Sequence, residues 1–213
     1  MESVYNFSPT EILGFALVLM RTSAFIVTMP VFGTSTVPNQ VKVLLALSLA
    51  IIIFPTVGWQ KLNVDFDSFA IVPYAMKEIF VGLVFGYLTR LFFSTIMMAG
   101  QIMSISIGIS SAQLYNPMMD ETVSPFDQFY SILATLFFLA INGHHLLING
   151  IVMTYDIVSI GASGISFQGL PGVTELVSNS MLMAVQISAP IMVSILMMNL
   201  AMALVGRAVP QIN

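Results

Sequence analysis

Residues 100–125, GQIMSISIGISSAQLYNPMMDETVSP, begin apolar and rich in small residues and end as an acidic, proline-punctuated segment carrying Asp120 and Glu121. Long hydrophobic runs lie on both sides. A protein that merely crosses a membrane needs short polar loops. This stretch suits neither a membrane helix nor a soluble loop, so the reading of fold and function turns on what such a segment does.

Outward from it, the composition is that of a membrane protein. The chain is 57% hydrophobic and 8% charged, where soluble domains have about 45–50% and about 25%. Several apolar runs approach the roughly 18–20 residues of a bilayer-spanning helix. The net charge of −4 and the absence of a basic patch argue against nucleic acid. There is no cysteine, which excludes disulfides and thiolate metal sites. The first eleven residues hold two acids and neither Lys nor Arg, so a cleavable signal is not expected and the first apolar run reads as retained.

The order of elements follows from punctuation. Ser8-Pro9-Thr10-Glu11 predicts a helix start, with Ser8 as N-cap, Pro9 at the first position and Glu11 at the third. The run 12–29 carries Arg21 and stops at Pro30. A second helix is expected from about Asn39 to Phe54, with Lys42 near its start. Residues 59–67 form a polar connector in which Trp59 and Lys61 suit a membrane interface. From Phe69 to about Ile109 the chain is apolar. As one helix, forty residues would reach about 60 Å, twice a hydrocarbon core. A hairpin, a steeply tilted helix or a helix leaving the membrane are the alternatives. After the central stretch, 126–141 predicts a helix broken at Asn142-Gly143-His144-His145. A Gly- and Ser-rich loop over 161–172 precedes a last helix from Glu175 to about Val205, with a kink expected at Pro190. The fold class is therefore all-α, built of hydrophobic helical hairpins in a single domain over residues 1–213. The six basic residues are too scattered for the positive-inside rule to orient it.

Few residues offer chemistry. Glu78, Gly82, Gly86 and Arg90 recur at a spacing of four, as do Gly100, Ser104, Gly108 and Ala112. Each step turns about 40° around a helix, so each set lines one slowly turning ridge. Small residues so placed admit a close helix, within the chain or from a neighbouring subunit. Arg21, Lys77, Glu78 and Arg90 are the candidate buried charges. They either pair, within the chain or with partner subunits, or line an aqueous path. Pairing is favoured, because a proton relay needs more mid-helix carboxylates than this sequence has. His144 and His145 diverge by about 100° on a helix and cannot share a metal as an i,i+4 pair does, so they read as an interface or loop cap with Asn142 and Gly143. No G-x-S-x-G elbow, phosphate loop or nucleophile–base pair is present, and neither enzymatic activity nor a cofactor is expected. The sixteen methionines read as core filler or, near the central stretch and in the last helix, as a deformable apolar seal.

Taken in order, Arg21, Met29-Pro30-Val31-Phe32-Gly33, Pro38 with Val41-Lys42, Gly100-Gln101, Tyr115-Asn116-Pro117, Ala140-Ile141-Asn142-Gly143-His144-His145 and Gly206-Arg207-Ala208-Val209-Pro210-Gln211-Ile212-Asn213 make a set. This set resembles the FliR family of flagellar type III export-gate subunits, over essentially the whole chain. The resemblance implies a single copy assembled with several copies of FliP and FliQ in a closed spiral, beside an FlhB-type gate subunit. It places the assembly at the bacterial inner membrane in the flagellar basal body, in contact with lipid. There it surrounds a conduit for unfolded flagellar export substrates. It implies that the central loop plugs the closed pore, here through Ser106, Gly108, Ser110, Ser111, Gln113, Leu114, Tyr115, Asn116, Pro117, Met118, Met119, Asp120, Glu121 and Thr122. From charge and spacing, Arg21, Lys42, Lys77, Glu78, Gly82, Gly86, Arg90, Gly100 and Ser104 are the candidates for buried charges or subunit interfaces. Family members continue past Pro-Gln-Ile-Asn into a further helical segment, which is expected to be absent after Asn213. The alternative from another class is a small-solute secondary transporter with a midplane site between helices broken at Pro190 and Asn142-Gly143. No inverted repeat between the halves supports it.

Overall fold

Ser8 starts the first helix as its neighbours dictate. Its hydroxyl accepts from the Glu11 N–H at 3.2 Å, and its own N–H donates to Glu11 Oε2 at 2.8 Å, closing a capping box ahead of Pro9. A computed structural model describes residues 8–34, 36–57, 71–108, 125–160 and 170–208. Helix α1, Pro9–Thr28, ends where Pro30 forces Met29 into an extended conformation. Helix α2, Asn39–Ile53, is followed by a 3₁₀ turn at Phe54–Thr56 around Pro55.

Helix α3, Ile71–Ile107, is one unbroken helix of 37 residues. The hairpin alternative for this region therefore falls. At about 1.5 Å per residue it is roughly 55 Å long, more than a bilayer core needs. Helix α4, Pro125–Ala140, and α5, Gly143–Ile157, are separated by a break at Asn142, whose backbone is left-handed (φ 57°). Helix α6 spans Leu170–Ala208 and passes through Pro190 without interruption. It starts before Glu175 and ends after Val205. Among the described residues there is no strand, and the fold class is all-α.

Two compact units are formed, by the described residues within Met1–Arg90 and Phe138–Gly169 and by those within Leu91–Phe137 and Leu170–Asn213. The first holds α1, α2, the first half of α3, and α5. Its core comprises Leu17, Val18, Phe25 and Ile26 of α1, Ala46, Ala50 and Ile53 of α2, and Ile151 and Tyr155 of α5. Thr22 ties α1 to α2 by donating to Ala46 O at 3.3 Å. In the second, Ala99 and Met103 pack on Ala184, with Met98, Tyr130 and Ile191 around them.

Among the described residues, four helical stretches are long and apolar enough to cross a membrane: Pro9–Thr28, Asn39–Thr56, Ile71–Ile107 and Gly172–Ala208. The broken pair Gln128–Ala140 and Gly143–Ile157 passes the same test together. Only 11% of the apolar window in the last helix is buried. Its Leu196, Met197, Met198, Leu200 and Met202 are exposed. So much bare apolar surface is unsuited to water.

Candidate functional site: a buried charge cluster and the roots of the central stretch

In the first unit α1 and α3 run side by side in the same direction, shown by the order of their contacts. Glu78 meets Arg21, Gly82 lies against Arg21 O and Ala24 Cβ, and Gly86 lies against Thr28 Oγ1. A methyl group at Gly82 or Gly86 would collide with those atoms. Phe25 and Phe85 stack beside the seam, their ring centroids 5.3 Å apart. The first small-residue ridge thus faces a helix of its own chain. Arg90, at the end of that ridge, is exposed, unlike the other charges grouped with it. The order of contacts with α5 runs the opposite way. Gly150 lies on the Phe85 ring, and Ser159, just beyond α5, meets Lys77.

At the meeting of these three helices lies a buried charge cluster. Arg21 Nε is 2.6 Å from Glu78 Oε2, and neither side chain is exposed. Lys77 Nζ is 3.6 Å from Glu78 Oε1. Arg21 also donates to Thr154 Oγ1 at 3.1 Å and to Val158 O at 2.9 Å. Its guanidinium carbon sits 3.9 Å from the centroid of the Tyr155 ring. Lys77 donates to Ser159 O at 2.9 Å. Among the described residues, two cations thus face one carboxylate. The balance comes from the carbonyls at the C-terminal end of α5, where the helix macrodipole is negative. The last turn of α5 has no basic residue of its own, so its carbonyls take donors from α1 and α3. Glu78 Oε1 and Tyr155 Oη are buried without a hydrogen-bond partner among the described residues.

Arg21, Lys77 and Glu78 were legible as charges inside apolar runs. Thr154, Tyr155 and the carbonyls of Val158 and Ser159 were not. The available signal was the polar triplet Thr154-Tyr155-Asp156 near the end of an apolar run. Lys42, at the start of α2, reaches back to Gly33 O at 3.1 Å.

In the second unit Gly100 and Ser104 are buried. Ser106 Oγ donates to Ile102 O at 2.8 Å, a bond within α3. Gly108 ends the helix with φ 87°, its N–H bonded to Ile105 O at 3.0 Å. Only a residue without a Cβ takes this conformation readily. Ser110, Ser111, Gln113, Leu114, Tyr115, Asn116, Pro117, Met118, Met119, Asp120, Glu121 and Thr122 lie outside the described residues, as does Ala112. Chain description resumes at Pro125, the first residue of α4. The His144 and His145 rings are 4.4 Å apart, centroid to centroid, and the His145 N–H donates to Asn142 O at 3.0 Å. Among the described residues no three of His, Cys, Asp and Glu come together to hold a metal ion.

Comparison with known proteins agrees with this architecture. The model of the bacterial export proteins, family 1, matches residues 12–213. The flagellar biosynthetic protein FliR of Bacillus subtilis (strain 168) is 31% identical over 217 residues, covering 100% of this chain and 81% of that protein. The proteins of the same name from Aquifex aeolicus (strain VF5) and Escherichia coli (strain K12) are each 29% identical over 195 residues. Those alignments cover 91% and 92% of this chain and 74% of each relative. With an all-α fold of membrane-crossing length and a family match over nearly its whole sequence, the chain belongs to the bacterial export proteins, family 1, alongside proteins named FliR.

Proposed function

We propose that the chain is a non-enzymatic, pore-forming subunit of a flagellar type III protein export gate, and that residues 106–122 plug the closed channel. The observation that carries the export role is the family match over residues 12–213, with relatives named for flagellar biosynthesis. The plug rests on the central stretch itself. In sequence it lies between α3, followed by Gly108, and α4, which begins at Pro125. Its sequence holds the polar residues Gln113, Asn116, Asp120 and Glu121, the prolines Pro117 and Pro125, and Met118 and Met119, a side-chain type suited to an apolar seal. The chain acts as one export-gate domain in the bacterial inner membrane, at the flagellar basal body. Its partners are FliP and FliQ subunits and an FlhB-type gate subunit. The exposed apolar faces of α2 and α6 are the surfaces offered to these neighbours and to lipid.

Deleting residues 110–121 from the chain, co-expressed with the other gate subunits, tests the plug. The expected result is normal assembly with increased ion leakage through the complex. An assembled complex that leaks no more than the parent would sink the plug reading.

A further inference from the structure

The charge cluster closes a long excursion of the chain. Lys77 and Ser159 O are 82 residues apart in sequence, and Arg21 and Val158 O are 137 apart. Between Lys77 and Ser159 in sequence lie the rest of α3, the central stretch, α4 and α5. Everything that carries the central stretch therefore begins and ends at Arg21, Lys77 and Glu78.

The Arg21–Glu78 pair itself joins α1 to α3, but that seam also has packing independent of the charges, through Gly82, Gly86 and the Phe25–Phe85 stack. Helix α5 contributes the polar partners: Thr154 Oγ1, the Tyr155 ring and the carbonyls of Val158 and Ser159. The helices here are apolar on most faces. In lipid, apolar surface alone does not choose between them, because hydrocarbon is as good a neighbour as leucine. A buried cation that needs a hydroxyl, an aromatic face and open carbonyls does choose, since few helix ends present all three.

We propose that Arg21, Lys77 and Glu78 are positioning residues that select α5 and dock it on the α1–α3 pair. They thereby fix the base of the excursion that carries the central stretch. The consequence for the channel rests on the plug reading above; the docking role does not.

The sequence has no cysteine, so introduced pairs report without background. The test uses the full chain co-expressed with the other gate subunits, probed in isolated membranes with a short bis-methanethiosulfonate crosslinker. The pair F25C/F85C reports α1 against α3, and F85C/G150C reports α3 against α5. In the R21M/K77M/E78M background, which leaves none of the three charges behind, F25C/F85C is expected to crosslink as before. F85C/G150C is expected to lose most of its yield. A merely stabilising cluster would lower both yields together, and that result overturns the proposal. So does an undiminished F85C/G150C crosslink. If the triple variant does not accumulate, R21K decides. A lysine keeps the charge but cannot span Glu78, Thr154 and Val158 together. Selective loss of F85C/G150C supports docking, and full yield overturns it. Ion leakage is read on the same membranes. Selective loss of α5 docking with unchanged leakage leaves the positioning role standing and removes its consequence for the plug.

Discussion

Arg21 and Glu78 form an ion pair of 2.6 Å with both side chains fully buried. Such a pair is expensive to half-remove. Taking away one partner leaves an uncompensated charge in apolar surroundings, at a cost of about 3–5 kcal/mol, whereas replacing both by apolar residues is often neutral. R21A and E78A are each expected to lower the thermal midpoint of the assembled complex sharply, or to abolish accumulation of the chain. R21M/E78M, with K77M added to remove the remaining cation, is expected to recover most of that loss. Thermal unfolding of the four purified complexes checks this. A charge-free variant as unstable as R21A would show that the interaction itself, and not the stranded charge, dominates.

Gly86 has no room for a side chain, because its missing Cβ would fall on Thr28 Oγ1. Thr28 cannot swing away freely, since its hydroxyl donates to Ala24 O at 2.9 Å and Phe25 O at 3.1 Å. G86A is expected to cost about 1–3 kcal/mol, the usual range for overpacking. T28A removes the obstructing hydroxyl, so G86A/T28A is expected to be less destabilised than the single effects sum to. Gly82 offers no such relief, because its neighbour is the Arg21 backbone carbonyl. A double-mutant cycle on chain stability measures the difference. Additive effects at Gly86 and Thr28 would show that the Thr28 hydroxyl is not what obstructs a side chain at Gly86, since T28A keeps the Thr28 Cβ.

The start of α1 is an independent local test. S8A removes the acceptor for the Glu11 N–H and is expected to cost about 1 kcal/mol. S8D, which keeps an acceptor and adds a negative charge at the helix N-terminus, is expected to match the parent. The readout is the thermal midpoint of the complex. Equal loss in both variants would show that the serine side chain acts through something other than the cap.

These examples also mark what the sequence could convey. The start of α1 was readable because every partner lies within three residues. The break at Asn142-Gly143 and the stop at Pro30 were readable for the same reason. The continuity of α3 was not, since its sequence is predominantly apolar from end to end and suits one long helix or two short ones equally. Nor could one tell which way its glycines face. A helix that is apolar on most sides carries little periodic signal for its inward stripe. Arg21, Lys77 and Glu78 stood out as charges that need partners. The partners of Lys77 and Arg21 at the end of α5 and just beyond it lie between 82 and 137 residues away, and no local rule reaches that far. Arg90 shares their sequence context and the ridge of Gly82 and Gly86, yet it is exposed. Spacing places a residue on a helix face, but packing decides which stretch of that face is covered.

Asn142 joins α4 to α5 in the left-handed region, φ 57° and ψ 31°. Its N–H donates to Leu139 O at 3.1 Å, and its carbonyl accepts from the His145 N–H at 3.0 Å. The turn therefore closes one helix and opens the next through a single residue. Asparagine tolerates this backbone better than most side chains, glycine takes it freely, and a β-branched residue resists it. The next residue cannot share the load, because a Cβ at Gly143 would strike the Phe138 ring. N142G is thus expected to keep the parent's stability, and N142V to lose about 1–2 kcal/mol. The paired thermal midpoints of the two complexes decide it. Valine tolerated as well as glycine would mean that the backbone at Asn142 is not left-handed in the assembled protein.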